Sequence, residues 1–138
     1  MIELSNTTAQ TVPVGQAITF DTVIWKTGCK ETFRRLSSVV NFVGNQCGCN
    51  SIFQVEFSGN IGGATAGTPV QLQIAQGGAP LPETVMIATP AAANDLNNVS
   101  KTTRVPGGEN NGGITVINTG TTELTLGAGA NLLIYCVA

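Results

Sequence analysis

Residues 53–74 read FQVEFSGNIGGATAGTPVQLQI and carry the clearest structural pattern in the chain. From Phe53 to Ile61, apolar residues or glycine occupy every second position, and polar residues occupy the positions between them. The alternation returns from Val70 to Ile74, after a turn rich in glycine and threonine. Side chains two residues apart lie on the same face of a β-strand. The segment therefore predicts two strands, each with one buried face.

Strand patterns recur along the chain at the spacing that is typical of a β-sandwich. The predicted strands are Ala17–Trp25, Val39–Val43, Phe53–Ile61, Val70–Ala75, Thr84–Thr89, Val99–Val105, Ile114–Ile117, Glu123–Leu126 and Asn131–Val137. Glycine pairs, which can adopt positive φ without steric cost, separate several of them. No segment of useful length has a helical period, and residues 91–96 are expected to form a loop. We predict one all-β domain over residues 1–138, an antiparallel two-sheet sandwich of about ten strands.

The composition limits the classes of partner. Charged residues make up only 10% of the 138 residues, well below the usual share of about a quarter. A net charge of −2 argues against nucleic acid as a partner, because phosphate binding needs clustered lysine and arginine. No apolar run approaches the roughly 20 residues that span a bilayer, so membrane insertion is not expected. A chain of low charge, rich in Thr, Asn and Gly, suits a particle surface or an extracellular protein.

Catalysis is not expected. The chain has no histidine, which excludes Ser/His/Asp and Cys/His nucleophile systems. Its eight carboxylates are scattered, without the close pairs that acid/base chemistry or a calcium loop would need. The glycine-rich segment from Gly107 to Gly113 has no lysine and no helix pattern after it, so we interpret it as a strand connection. We predict no enzyme activity and no cofactor.

The four cysteines are the only unusual reactive residues. Cys47 and Cys49 are separated by one residue, fewer than in common zinc motifs, and a bridge between them would be geometrically awkward. Three states remain open: free buried thiols, a disulfide from Cys29 to Cys47 or Cys49, and, least favoured, a metal site. Cys136 lies in an apolar strand and is expected to be a small buried hydrophobic residue.

The last predicted strand is apolar on both faces. Leu132, Ile134 and Cys136 alternate with a second set, Leu133, Tyr135 and Val137. One face can pack on the core, and the other needs a different cover. We predict that Leu133, Tyr135 and Val137 form a subunit interface. The alternative is that loops of the same chain cover them.

Residues 26–50 form a Cys- and Arg-bearing insert that carries most of the positive charge. Lys26, Lys30, Arg34 and Arg35 lie there, next to Trp25 and Phe33. One interpretation is a solvated loop with an aromatic residue packed beneath it. We favour a docking loop, built from Lys30, Phe33, Arg34 and Arg35, that contacts an acidic neighbour.

The order of these elements resembles the tumour necrosis factor-like jelly roll, which includes the complement globular heads, and in particular its small bacterial and phage-encoded subset. The resemblance runs from about Thr11 to the end of the chain. Its motifs are a Val-Pro-Val-Gly lead-in at residues 12–15, the strands around residues 52–57 and 70–74, Leu81-Pro82, a Thr/Val-rich strand at 99–106, Ile114–Gly120 and the apolar strand at 132–137. The chain departs from the pattern in its insert and in having no collagen-like Gly-X-Y segment before the domain.

The resemblance implies a homotrimer, whose subunits meet through apolar faces of the sandwich. It also implies a structural role on a phage virion, as a capsid decoration or head fibre that docks on other virion proteins such as the capsid shell. The first six residues show no signal peptide, so synthesis in the host cytoplasm and a place on the virion surface are expected.

Two alternatives remain. One is a fibre tip that binds a host protein or glycan, in a groove between subunits formed by the loops near Thr65, Ala92 and Asn110. The scarcity of aromatic residues, 5% of the chain, counts against a glycan platform. The other is a secreted or spore-surface bacterial protein, which would need an export route.

Overall fold

The computed structural model describes residues 1–28, 31–33, 36–42 and 52–138. Within these ranges the chain forms thirteen β-strands and two short 3₁₀ helices, at Pro82–Thr84 and Glu109–Asn111. The strands are β1 (Ile2–Ser5), β2 (Gln10–Val12), β3 (Thr22–Lys26), β4 (Glu31–Phe33), β5 (Val40–Phe42), β6 (Ile52–Gly62), β7 (Val70–Gln76), β8 (Ala79–Pro80), β9 (Met86–Ala88), β10 (Asn97–Pro106), β11 (Ile114–Asn118), β12 (Leu124–Leu126) and β13 (Asn131–Cys136).

The strands form two antiparallel sheets. The seven-stranded sheet has the order β2-β12-β6-β13-β1-β3, with β10 paired to the second edge of β6. The six-stranded sheet has the order β4-β5-β11-β7-β8, with β9 also paired to β7. The predicted all-β, two-sheet architecture is confirmed.

The eleven-residue strand β6 lies at the centre of the larger sheet. Its buried and half-buried residues alternate as predicted, with Phe53, Val55 and Phe57 facing the core. One edge pairs with β10 over ten residues, and the other edge is shared by β13 and β12. All of its neighbours are antiparallel, so the pattern in the sequence fixes which side chains of the sheet face inward.

The core lies between the two sheets and contains apolar side chains from both. Phe42 of the smaller sheet and Phe53 of the larger one contact each other across it, with ring centroids 4.5 Å apart. Phe20, Phe57 and Leu72 are each at most 2% exposed. Each such side chain contributes about 1.5–3 kcal/mol by leaving water. This core holds the sandwich together.

The predicted strand Ala17–Trp25 is interrupted in the structure. Ala17 makes a bridge to Ile117 of the smaller sheet and Phe20 makes one to Ser37, whereas β3 belongs to the larger sheet. Asp21 lies at the change of sheet, where its carboxylate accepts hydrogen bonds from the backbone N–H and hydroxyl of Thr7. The pairing of β3 with β1 then shifts register between Glu3 and Leu4. Ile24, which alternates with Ile18 and Phe20 in the sequence and was predicted to be buried with them, is 49% exposed. β3 is an edge strand in which Val23 and Trp25 are exposed as well.

Two other boundaries differ from the prediction. The sequence analysis assigned no strand to the N-terminus, yet β1 lies between β13 and β3 and buries Ile2 and Leu4 completely. Residues 84–89 were predicted as one strand, but Thr84 ends a 3₁₀ helix and only β9 is extended. The Thr84 hydroxyl accepts a hydrogen bond from the N–H of Ile74 and donates one to the carbonyl of Leu81. These bonds hold Thr84 in the helical turn, outside the hydrogen-bonded strand pair of β7 and β9. Residues 91–96 form a loop, as expected.

Glycine pairs serve two different purposes. Gly77 and Gly78 have φ of 60° and 81° in the turn between β7 and β8, as the sequence predicted for such pairs. At Gly62, the requirement is a close backbone contact instead. A Cβ there would lie 2.3 Å from the carbonyl oxygen of Asp95, so the loop before β10 could not approach β6.

The two chain termini lie in neighbouring strands. Ile2 of β1 is paired with Ile134 of β13. The N-terminal ammonium donates to the carbonyl of Thr27 at 2.8 Å. The N–H of Ile52 donates to the carbonyl of Ala138 at 3.1 Å. Both ends of the chain are therefore close to the start of β6.

Asn118, at the end of β11, is a fully buried polar residue with a complete set of side-chain partners. Its amide donates to the carbonyls of Val12 at 2.9 Å and Thr122 at 3.0 Å, and its oxygen accepts the N–H of Gly120 at 2.9 Å. These bonds fix the connection between β11 and β12. Buried polar groups of this kind are costly when they lose their partners.

We expect Asn118→Ala to lower the free energy of unfolding by about 3 kcal/mol, because buried backbone groups would be left unpaired. Chemical denaturation followed by circular dichroism measures the change. The matched control is Asn98→Ala, whose amide makes one exposed hydrogen bond to Asn60, and it should change stability by less than about 0.5 kcal/mol. Equal effects of the two substitutions would show that Asn118 has no special structural role.

Candidate interaction surface

The face of the seven-stranded sheet that points away from the core is here called the outer face. Its central row is fixed by strand register. Glu3 of β1 is paired with Leu133 of β13, which is paired with Glu56 of β6. Trp25 of β3 continues the row next to Glu3, and Thr102 of β10 continues it next to Glu56. Residues directly opposite each other in antiparallel strands share a face, so these five side chains lie side by side.

Tyr135 lies in the next row of the outer face and is held by hydrogen bonds. The amide of Gln54 donates to the Tyr135 hydroxyl at 2.6 Å and to the Glu56 carboxylate at 2.9 Å. The Tyr135 hydroxyl donates to the same Glu56 carboxylate oxygen at 3.4 Å. Arg104 Nε donates to the Gln54 oxygen at 3.4 Å. The phenol ring is thereby fixed in one orientation before any partner binds.

The surroundings of the predicted interface residues are more polar than the strand pattern alone indicates. Leu133 and Tyr135 are half-buried on the outer face. Val137 follows the end of β13, where it is 39% exposed and its N–H donates to the carbonyl of Ile52. Polar and charged residues surround the first two, so the outer face is mixed. The subunit interface itself stays a prediction.

The docking-loop prediction falls largely outside the described part of the chain, which omits Lys30, Arg34 and Arg35. Phe33 is described, and it lies in β4. Its ring packs edge-on against Phe20 with centroids 6.4 Å apart and joins the margin of the core. Phe33 thus packs against the core. The docking prediction now depends on the three basic residues alone.

Cys29, Cys47 and Cys49 also lie outside the described residues, so the predicted disulfide between them is not described. Cys136 is disulfide-bonded, and its partner lies outside the described ranges. The expectation that Cys136 is a free buried thiol was therefore wrong. The side chain does pack against the core, as expected of a residue that follows Leu132 and Ile134 on the inner face. Strand alternation places a cysteine on a face but contains no information on its distant partner.

The three loops predicted to form a ligand groove are not all at one end of the sandwich. The loops that contain Thr65 and Ala92 are joined by a hydrogen bond from the N–H of Gly67 to the carbonyl of Pro90 at 2.8 Å. Asn110 follows β10, whose last residue is paired with Ile52 at the opposite end of β6. The structure therefore brings two of the three loops together.

The sequence favoured neither a metal site nor a membrane-spanning segment. The described residues contain no group of three or more His, Cys, Asp or Glu side chains that could hold a metal ion. None of the helices formed by the same residues has the length and apolar character needed to cross a membrane.

No family model matches the chain, and no curated protein matches it. Among solved structures, it is similar to the globular domain of zebrafish complement 1qA protein. The TM-score is 0.62 at 8% identity, covering 99% of this chain and 96% of that chain. It is also similar to murine APRIL, with a TM-score of 0.59 at 11% identity and 95% coverage of both chains. The fold is the tumour necrosis factor-like jelly roll. This confirms the fold to which the sequence resemblance pointed, and at such low identity the likeness shows the fold alone.

Two residues of the outer face escaped the sequence analysis. Trp25 was treated as a flank of the insert, but it is 55% exposed at the edge of the sheet. Arg104 was not singled out, because its contact with Gln54 depends on the register between β10 and β6. The only sign in the sequence was the polar alternation of both strands, which indicates that a residue faces outward and does not identify its neighbours.

We expect Cys136→Ser to lower the free energy of unfolding by about 2–4 kcal/mol under non-reducing conditions, because the cross-link no longer restricts the unfolded chain. Denaturant titrations with and without reductant measure this. Reductant should destabilise the wild-type chain and should have a smaller effect on the variant. A wild-type chain that is insensitive to reductant and as stable as the variant would contradict the assignment.

Proposed function

We propose that this chain is a structural protein of the phage virion surface, a capsid decoration or head fibre, that forms a homotrimer through the outer face and acts by binding other proteins. The observation that carries the proposal is the outer face itself. It presents a fixed tyrosine and a half-buried leucine on a sheet that no other described part of the chain covers.

The composition of the outer face supports a protein interface. Tyrosine, tryptophan and arginine are the residues most enriched where protein–protein contacts are strongest. Tyr135, Trp25 and Arg104 all belong to this face. The hydrogen bonds of Tyr135 and Gln54 reduce the side-chain entropy that association would otherwise cost. A head-to-tail arrangement of subunits around a three-fold axis would close into a ring and leave no open contact surface for further growth.

The virion role is supported by the composition, the resemblance to phage-encoded jelly rolls and the state of Cys136. Few charges and many Thr, Asn and Gly residues suit a particle surface. A disulfide is rare in proteins that stay in a reducing cytoplasm and common in those that act outside the cell. Synthesis in the host cytoplasm, followed by oxidation of the cysteines after lysis, accounts for the predicted site of synthesis and for the disulfide. In this proposal the protein has no enzymatic activity.

The interface proposal predicts that Leu133→Lys converts a trimer into a monomer, because a longer, charged side chain would replace an apolar one at each subunit contact. Burying that charge would cost desolvation energy even beside Glu3 and Glu56. Light scattering of the wild-type protein should give three times the 14.2 kDa mass of the chain, with or without reductant. The matched control is Ile87→Lys, at an apolar residue that is 55% exposed on β9 of the other sheet, and this variant should remain trimeric.

A monomeric wild-type protein would remove the proposed interface. A trimer in both variants would place the interface on another surface. A wild-type mass that falls only on reduction would show that cysteines join the subunits, in place of the outer face.

The docking proposal predicts that Arg34→Ala with Arg35→Ala lowers the occupancy of the protein on purified particles, because a basic loop would lose its attraction to an acidic shell. Occupancy is measured by quantitative mass spectrometry of washed virions. The control is Lys101→Ala, which removes an exposed positive charge elsewhere. Unchanged occupancy of the double variant contradicts the docking loop. Absence of the wild-type protein from the particles contradicts the virion role itself.

A further inference from the structure

A small cleft lies at one end of the sandwich, where β6 leads into β7 and the β11–β12 connection passes beside them. Its volume is about 150 Å³. Residues 63–68 form one wall, and residues 122–125 form the other. The pairing of Thr125 with Gly62 joins the two walls at their base. The cleft lies within one subunit, at the end of β6 opposite to Gln54, the strand partner of Tyr135.

The cleft offers hydroxyl groups with no other role in the fold. Thr65, Thr68, Thr122 and Thr125 all line it. Within the part of the chain that the structure describes, none of these four hydroxyls takes part in a hydrogen bond. Each can both donate and accept. The Glu123 carboxylate adds an acceptor to the same lining.

The walls are held by backbone contacts that leave those side chains available. The buried Asn118 amide donates to the carbonyl of Thr122, and the N–H of Asn94 donates to the carbonyl of Gly63 at 2.8 Å. The N–H of Thr68 lies 3.4 Å from the carbonyl of Thr65, to which it donates. Val70, which is 1% exposed and part of the core, lies at the base. The shape of the cleft is therefore set by backbone contacts and by the core beneath it.

The lining chemistry excludes several classes of ligand. Glu123 disfavours anions, and the described residues that line the cleft include no lysine or arginine. A calcium ion takes six to eight oxygen ligands, commonly from several carboxylates, and here there is one carboxylate. A purely apolar ligand would leave the threonine hydroxyls unpaired. What remains is a neutral molecule with many hydroxyl groups and apolar C–H faces.

We propose that this cleft binds one neutral hexose ring, as the terminal residue of a glycan. Hexose hydroxyls would pair with the threonine hydroxyls and donate to Glu123, while C–H groups would contact the threonine methyls and Val70. The cleft is smaller than the roughly 300–1,000 Å³ of pockets for drug-sized ligands, which fits a single ring. Thr65, Thr68 and Thr122 lie on loops that the sandwich positions, as binding residues commonly do, whereas Val70 and Thr125 lie in β7 and β12.

The affinity for one ring is weak, with a Kd on the order of 1 mM for a ligand of this size without an aromatic platform. If the chain assembles as the trimer proposed above, three identical clefts would act together. Simultaneous binding to a glycan-coated surface would then raise the overall affinity well beyond that of one cleft.

The test is an NMR titration of ¹⁵N-labelled protein with D-galactose, D-glucose and D-mannose in separate experiments. We expect at least one hexose to shift amide signals of residues 63–70 and 122–125 in a saturable way. Thr68→Val with Thr125→Val should weaken binding by about tenfold or more, because each loses a hydrogen bond while keeping its shape. The matched control is Thr121→Val, which removes an exposed hydroxyl from the same connection outside the cleft lining. It should bind as the wild-type protein does.

Failure of all three hexoses to shift these signals would overturn the proposal, as would equal losses in the double variant and the control. Shifts at the same residues produced by calcium chloride and by no hexose would replace the sugar site with a cation site. The titration repeated on Leu133→Lys should give the same Kd, since the cleft needs only one subunit. The hexose result is thus independent of the trimer and of the virion.

Discussion

The hydrogen bonding of β6 on both of its edges is the constraint on which the rest of the sandwich depends. Over its length this strand is bonded to β10 on one side and to β13 and β12 on the other. Because each partner is antiparallel, the alternation of β6 is transmitted to its neighbours. In the central strands the inward residues then meet the core, and the outward residues join the outer face. A shift of β6 by one residue would exchange the two sets.

This arrangement separates stability from recognition. The core between the sheets supplies most of the free energy of folding, through buried apolar side chains such as Phe57 and Leu72. The outer face and the loops are then free to carry polar groups. One buried amide connects the core to the loops. Asn118 is buried beside the core, and its side chain also fixes the carbonyl of Thr122 at the cleft. The two proposed recognition surfaces, the outer face and the cleft, are therefore held in place by the core.

What the sequence could predict followed from local periodicity. Both β6 and β7 were placed to within one residue, because their alternation is long and uninterrupted. β1 was missed because four residues give too short a pattern, although its partners bury it completely. Ile24 was misplaced because β3 is the edge strand of its sheet, a position that the local pattern does not reveal. The hydrogen bond of Arg104 and the oxidation of Cys136 were equally inaccessible, since both are set by tertiary contacts.

The chain termini and the cleft lie at opposite ends of the sandwich. Both chain ends lie near Ile52, whereas the threonine-lined cleft lies near Gly62, at the far end of the same strand. Ten steps along an extended strand separate these two points by about 30 Å. A tether or a fused domain attached to either terminus would emerge from one pole and leave the other pole facing outward.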